Sequence, residues 1–351
     1  MKVSIGIGAA ASGQRRDFDE QVEYVVEAEK LGVDVVWSAE AWGQDAIAPL
    51  AYLAARTNRI RLGTGIMQIS ARVPAMTAMT ALTMAAISKD RFILGLGTSG
   101  PQVVEGLQGR PFKAPLTRLK ETVEIVKLAF AGEKIEFHGK YHELPLPGGQ
   151  GKALRLSQPG NSNIPIYLAT LKPQALEYTG AVADGWLGTS FTPEHAAAHL
   201  DYLRRGAEGA GRSLADIEIE VGGTVAFGDD LHALVEPLKP AVAFTLGAMG
   251  SATTNFYNDA FKRGGWEAAA REVQHLWVTG KRPEAIAKVP SELVLQANLL
   301  GTTEMVRERI RTYKNAGVTT LRVAPVGRDL HEKLTTLGKV MDLVHAINPG
   351  G

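Results

Sequence analysis

Short apolar runs recur along the chain at residues 3–7, 33–37, 60–66, 92–96, 164–169, 185–187, 217–227 and 320–323. Several are apolar at every position rather than at alternate ones, the pattern of parallel strands covered on both faces. Stretches of helical period lie between them. Residues 18–31 set Val22, Val25, Val26 and Ala28 on one side and Glu20, Glu23, Glu27 and Glu29 on the other. Residues 116–130 repeat the pattern with Leu119, Val123, Val126 and Phe130, and 173–183, 193–206, 302–316 and 332–347 follow it. Pro173 and Pro193 stand where a first helical turn accepts proline. Residues 74–88 form the most apolar helix, and Thr77, Thr80 and Thr83 give it a semi-polar stripe suited to packing in a soluble core. Gly32 and Gly317 each close a helix and open a strand, which suits a left-handed cap. Eight strand runs alternating with helices predict a parallel sheet, closed as a (β/α)8 TIM barrel. An open doubly wound sheet is the structural alternative.

Two segments depart from the alternation. Residues 133–163 are rich in Gly and Pro, and residues 231–300 hold helical runs at 256–261, 266–277 and 283–288 without a strand signal. Segments of this length usually carry function. The expected organisation is one domain over 1–351, with both insertions at the C-terminal face of the barrel shaping a substrate pocket.

Composition narrows the chemistry. The 351 residues include 38 basic and 37 acidic side chains, a formal charge of +1, and no Cys. Disulfides, Cys-ligated zinc, iron–sulfur clusters and a thiol nucleophile are thereby excluded. Near-neutral charge argues against a nucleic-acid or anionic-membrane partner. No uninterrupted apolar stretch is long enough to predict a transmembrane helix. Met1-Lys2 and residues 3–11 loosely mimic a signal peptide, but the basic part is one Lys, and Ser4, Gly6 and Gly8 interrupt the rest. A cytoplasmic protein is expected.

Gly95-Leu-Gly-Thr-Ser-Gly100 matches a dinucleotide fingerprint literally. That motif needs a following helix and an acidic residue at the tip of the next strand. Here Pro101 follows, and Glu121 and Glu124 fall in a helical stretch, so a dinucleotide site is not expected. Gly97, Thr98, Ser99 and Gly100 still offer backbone N–H groups and two hydroxyls to a phosphate; a plain tight turn is the alternative. Gly63 and Gly65 permit a bulge or close ligand approach, and Arg72 suits an anion or a loop cap. His195 and His199 have metal-ligand spacing on a helix, but the motif is not His-Glu-x-x-His and no third ligand is indicated. A solvated helix face, and no metal, is the expectation. Glu40 and Asp45 follow the second strand, where a carboxylate can serve as acid, base or hydrogen-bond acceptor, or simply sit in a loop.

Six segments carry a family resemblance: Val36-Trp-Ser-Ala-Glu40, Leu62-Gly-Thr-Gly-Ile-Met67, Arg72-Val-Pro74, Arg91-Phe-Ile-Leu-Gly-Leu-Gly-Thr-Ser-Gly-Pro-Gln102, Ile164-Pro-Ile-Tyr-Leu-Ala169 and Gly180-x-x-Ala-Asp-Gly-Trp186. In this order and spacing they resemble the bacterial luciferase-like superfamily. The nearest likeness is its branch of oxidoreductases that use the deazaflavin coenzyme F420, which includes methylenetetrahydromethanopterin reductase. The resemblance implies a (β/α)8 barrel with insertions, hydride transfer between F420 and a small organic substrate, and a homodimer. Flavin mononucleotide (FMN) shares the fold and much of the pocket. An FMN-dependent monooxygenase and a non-catalytic flavin- or deazaflavin-binding protein are the alternatives.

The resemblance also implies site residues. Gly65-Ile66, with Met67 after it, matches a non-prolyl cis peptide under the deazaflavin ring. Gly97, Thr98, Ser99 and Gly100 match the loop for the cofactor phosphate, and Ala169, Thr170, Leu171 and Lys172 match a segment beside ring and tail. Ser38 and Glu40 match the end of the second strand, with Glu40 the candidate catalytic residue; Gly185-Trp186 matches a pocket wall. The glucose-6-phosphate dehydrogenases of the superfamily carry a His where this chain has Ala41 and a Glu where it has Gly100. The acid–base set for sugar oxidation is therefore not expected.

Overall fold

A computed structural model describes residues 1–8, 18–249 and 254–347. The leader-like stretch continues into residues 9–11, and these, with 250–253 of the second insertion, lie outside the described residues. All eight apolar runs form strands: β1 (Lys2–Ile7), β2 (Val35–Ser38), β3 (Arg61–Thr64), β4 (Phe92–Gly97), β5 (Ile166–Ala169), β6 (Gly185–Leu187), β7 (Glu218–Phe227) and β8 (Thr320–Pro325). A helix follows each in turn: α1 (Phe18–Lys30), α2 (Ile47–Ala54), α3 (Pro74–Ser88), α4 (Pro115–Phe130), α5 (Pro173–Val182), α6 (Ala197–Gly209), α7 (Thr303–Asn315) and α8 (Leu330–Ile347). The strand order is β7-β8-β1-β2-β3-β4-β5-β6, and β6 pairs in turn with β7, which is a (β/α)8 barrel. Among the described residues no helix is long and apolar enough to cross a membrane.

The contacts divide the chain into two compact units, residues 1–6, 16–35 and 170–351 in one and 7–15 and 36–169 in the other. In the second, β4 is buried at all six positions, as a strand covered on both faces must be. Leu94 stands opposite Ile166 and Gly97 opposite Ala169. The Thr64 hydroxyl donates to the Gly95 carbonyl (2.8 Å) and accepts from the Gly95 N–H (2.9 Å), pinning β3 to β4. Trp37 of β2 lies across Gly63, where an added Cβ would come within 2.2 Å of the indole, so no larger residue fits. At the opposite end of the strands Arg91 acts as a staple. Its guanidinium donates to the carbonyls of Ala54, Thr57, Ile60 and Ser88 and to the Thr57 hydroxyl.

Three local departures from the sequence pattern occur here. The run at 60–66 ends as a strand at Thr64, and the chain resumes pairing with β4 at Met67–Gln68. α2, eight residues long and largely apolar, has no helical stripe for periodicity to detect. On α3 the semi-polar stripe divides, with Thr80 half-buried and Thr83 exposed. Thr77 is buried, while Val73 at the N-cap and Met76, Met79 and Ile87 are exposed. The first insertion folds partly as an antiparallel hairpin, Phe137–His138 with Glu143–Leu144. Glu121 of α4 holds that hairpin. Its buried carboxylate accepts from the N–H groups of Lys140 (2.8 Å), Tyr141 (3.0 Å) and His142 (2.9 Å) and pairs with the His142 ring (2.9 Å). Burial pushes that carboxyl up, and the four hydrogen bonds outweigh it and hold it below the ordinary value.

In the first unit β7 pairs with β8, Glu220 standing opposite Thr320, and with β6, Glu218 opposite Gly185. Gly32 and Gly317 have φ of +100° and +96°, so both are the expected left-handed caps. The second insertion builds a hydrophobic cluster from Val235, Leu246, Phe261, Val273, Leu293 and Val294, among others. Asn258 ties it together by donating to the carbonyls of Leu246 (2.9 Å) and Ala270 (2.8 Å). Leu299–Gly301 adds a short strand to the C-terminal part of β7, too short for the sequence pattern to reveal.

Candidate active site

The C-terminal ends of β2, β3, β4 and β5 bring together the residues that the family resemblance singles out in the unit of residues 36–169. The Gly65–Ile66 peptide is cis, as the resemblance implies. The peptide before it hydrogen-bonds back to the sheet, the Gly65 N–H donating to the Ser38 carbonyl at 2.8 Å. The Ile66 side chain lies against Gly97. A Cβ on Gly97 would meet Ile66 Cδ1 at 3.0 Å and Ala169 Cβ at 3.6 Å. After Gly97 the chain turns at Ser99 (φ +56°), and Gly100 caps a short helix, Pro101–Val104. A Cβ on Gly100 would meet nothing within 4 Å, so that loop has open space beside it.

Glu40 sits at the end of this array, and its carboxylate is fully engaged. Arg72 binds it with both terminal nitrogens (2.7 and 2.8 Å), and the N–H groups of Gln68 (3.2 Å) and Ala46 (3.3 Å) also donate to it. The Gln68 amide donates to the carbonyls of Glu40 (2.8 Å) and Ala41 (3.3 Å), and the Gln108 amide donates to Gln68 Oε1. The hydrogen bonds that Arg72 donates to Glu40 raise the Arg72 pKa above its ordinary value, against a smaller opposing effect of burial. Four acceptor positions filled by donors make Glu40 a fixed negative charge that orients Arg72 and the strand after the cis bond. Gln68 and Gln108 carried no signal in the sequence that marked them as partners.

Two cavities flank Arg72. One, about 310 Å³, is lined by Thr98, Ser70 and several basic side chains. The other, about 380 Å³, is lined by Glu40, Gln68, Gln108 and the half-exposed Trp42.

The remaining site candidates belong to the unit of residues 170–351. The Thr170 hydroxyl shares a hydrogen bond with Thr179 (2.7 Å), and its carbonyl accepts from the Trp186 indole (2.9 Å). Arg263 of the second insertion donates to the Leu171 carbonyl (2.5 Å), and the Lys172 ammonium lies 4.8 Å from the Phe256 ring centre. Accessibility sorts the candidates. Glu40, Gly65, Ile66, Thr98, Ser99, Gly100, Ala169, Leu171 and Lys172 keep exposed surface, whereas Ser38, Met67, Gly97, Thr170, Gly185 and Trp186 are buried. Trp186 has no exposed surface and packs against Phe191 and His199, so it supports Thr170 instead of forming an open wall.

The histidine pair also differs from expectation. His199 does not lie on a solvated face. It is buried beside Trp186 and Phe191, with no partner for either ring nitrogen among the described residues. Burial first, and the Arg263 charge second, lower its pKa from 6.5 to about 3. His195 bonds the Thr192 hydroxyl and packs edge-on to Trp266. Among the described residues no three His, Asp or Glu side chains are grouped to hold a metal ion.

With this geometry in place, comparison with known proteins defines the class. The sequence profile of the family described as luciferase-like monooxygenase matches residues 1–320, and the chain belongs to that family. A Mycobacterium tuberculosis protein provisionally named a coenzyme F420-dependent oxidoreductase is 40% identical over 309 residues, 86% of this chain and 89% of its own. The F420-dependent glucose-6-phosphate dehydrogenase of Mycolicibacterium gilvum is 28% identical over 302 residues, 81% of this chain and 87% of its own. The structure of the coenzyme F420-dependent tetrahydromethanopterin reductase from Methanopyrus kandleri matches with a TM-score of 0.78 at 23% identity, covering 96% of this chain and 97% of that one. It shares the barrel fold, which removes the doubly wound alternative.

Proposed function

We propose that the chain is a coenzyme F420-dependent oxidoreductase that moves a hydride between the deazaflavin and a small organic substrate. The observation that carries the reading is the Ile66 side chain seated on Gly97, beside an accessible Gly-rich loop. The 40% identity to the mycobacterial F420-dependent oxidoreductase supports the choice of cofactor. The residues present fit such a group. Ile66 offers an apolar edge to a flat ring, residues 98–100 are accessible next to open space, and the buried Ser38 and Ser70 hydroxyls have no protein partner among the described residues.

When bound, the deazaflavin supplies two-electron hydride chemistry. The protein's work is positioning and electrostatics. In this reading Ile66 and Ala169 bound the ring, and Met67 and Gly97 back them from below. Thr98, Ser99 and Gly100 take the cofactor phosphate. The resemblance also assigns Thr170, Leu171, Lys172 and Gly185-Trp186 to the cofactor. Glu40 stands at the reacting region and acts through Arg72 and Gln68, as a positioning residue. Ala41 and Gly100 leave the acid–base set of sugar oxidation incomplete, so the substrate is not a hexose phosphate. The insertions near 133–163 and 231–300 set substrate choice on a single domain. The apolar face of α3, with Val73, Met76, Met79 and Ile87 exposed, supports a homodimer, and a cytoplasmic location belongs to the same reading.

The family's description as monooxygenases favours FMN as a second reading. Titration of the apoprotein with F420 and with FMN, followed by Trp fluorescence, separates the two. Trp42 lines one cavity and Trp37 backs the cis turn, so a bound ring quenches emission. Micromolar or tighter binding of F420 alone is expected. Preference for FMN moves the reading to a monooxygenase, and binding of neither refutes the cofactor assignment.

A further inference from the structure

The 380 Å³ cavity beside Glu40 is built from the chain after β2, the chain after the Gly65–Ile66 turn and residues 107–108, all in the unit of residues 36–169. Its charge balance is negative. Among the described residues that line it, Arg72 is the only cation, and Glu40 occupies both of its terminal nitrogens. Asp45 adds a second carboxylate, whose Oδ1 accepts from the N–H groups of Ile47 and Ala48 (both 2.9 Å). An anion entering here meets repulsion from Asp45 and finds the Arg72 charge already neutralised.

Three glutamines in the lining set the direction of hydrogen bonding. The Gln68 side-chain nitrogen donates to the carbonyls of Glu40 (2.8 Å) and Ala41 (3.3 Å), and only the nitrogen end of an amide can face two carbonyls. Gln68 Oε1 therefore needs a donor, and the Gln108 side-chain nitrogen supplies it. That order leaves Gln108 Oε1 at the end of the chain, a buried acceptor with no partner among the described residues. Gln44 Oε1 is a second such atom. A buried acceptor left unpaired is a cost that an incoming donor removes. The large apolar side chains of the lining, Trp42 and Leu107, are both exposed, and a ligand that covers them gains apolar contact.

We infer that this cavity holds the organic substrate, and that the substrate is an uncharged molecule carrying N–H or O–H donors on an apolar body. One donor meets Gln108 Oε1, another meets Gln44 Oε1, and the body covers Trp42 and Leu107. Carboxylates and phosphates are rejected by the charge balance. Calling the ligand the hydride partner rests on the function proposed above; the preference for an uncharged donor does not.

The test uses the full chain without cofactor and three probes built on one ring: benzamide, N,N-dimethylbenzamide, which has no donor, and benzoate, an anion. Titration followed by saturation-transfer NMR gives the affinity of each for the wild type, Gln108→Leu and Gln44→Leu. The wild type is expected to bind benzamide about tenfold more tightly than either other probe. Each variant is expected to lose about tenfold for benzamide and to bind N,N-dimethylbenzamide as the wild type does. Gln44→Leu leaves the Gln68–Gln108 chain intact, so it decides the matter if Gln108→Leu melts early. Loss at either position supports the site. Equal binding of the three probes, no binding of benzamide, or benzamide affinity unchanged in both variants overturns it. A repeat at saturating F420 separates the two claims. Benzamide retained beside the bound cofactor supports the substrate assignment, and displacement by F420 overturns it. Failure of F420 to bind refutes the proposed function, and the probe series still decides the cavity.

Discussion

His199 makes the stability of the barrel depend on pH in a calculable way. Its ring lies between Trp186 and Phe191, centroids 5.4 and 5.8 Å away, and the Arg263 charge opposes protonation further. The folded-state pKa of about 3 lies below the ordinary 6.5, so the fold holds the neutral ring and the unfolded chain takes up the proton first. The contribution is therefore complete above pH 6.5 and is lost as pH falls toward about 3. Each pH unit below the unfolded value costs about 1.4 kcal/mol, so the loss from this one ring is about 2 kcal/mol between pH ~8 and pH ~5. His199→Phe keeps a flat ring in an aromatic setting and removes the titration. Urea unfolding of wild type and variant at both pH values reads the difference, since all other titrating groups are common to the two. The wild type is expected to lose about 2 kcal/mol more than the variant over that interval. Parallel pH profiles refute the reasoning, as does a His199 ring that titrates near its ordinary value by NMR.

Other substitutions test the frame around the site. Glu40→Gln and Arg72→Met, singly and together, form a double-mutant cycle with an expected coupling of about 2 kcal/mol; a coupling below about 0.5 kcal/mol means the pair holds nothing. Gly63→Ala puts a methyl group into the Trp37 ring and is expected to cost about 2 kcal/mol or more in denaturant unfolding, with a blue or red shift of Trp emission as a second readout. Arg91→Lys keeps the charge but replaces the planar fork that serves four carbonyls. A loss of about 3 kcal/mol is expected, and a melting curve that matches the wild type dismisses the staple.

Hydropathy reached the barrel because burial on both faces writes itself into composition. β4 is the clearest case, apolar from Phe92 to Gly97 and buried throughout. The same logic failed for α2, whose apolar residues surround the helix and leave no stripe, and for Leu299–Gly301, only three residues long. The break of the third run at Thr64 is a backbone event at Gly65–Ile66, and hydropathy does not encode it; the family resemblance implied it. At the site, Glu40 and Arg72 were visible as separate signals, but their pairing across 32 positions arises only in the fold. The His195–His199 spacing suggested a wet helix face because periodicity cannot tell which neighbours will cover a side chain. Here Trp186 and Phe191 cover His199. The cationic cavity escaped the sequence for the same reason. Arg72 and residues 110–118 belong to different segments and share a wall only after folding.

The most direct test of the central claim is a crystal structure of the protein with coenzyme F420 at saturating concentration. The account predicts the deazaflavin ring in van der Waals contact with Ile66, with the cofactor phosphate at residues 98–100. A ring bound away from the Gly65–Ile66 turn, or no bound cofactor at saturation, contradicts it.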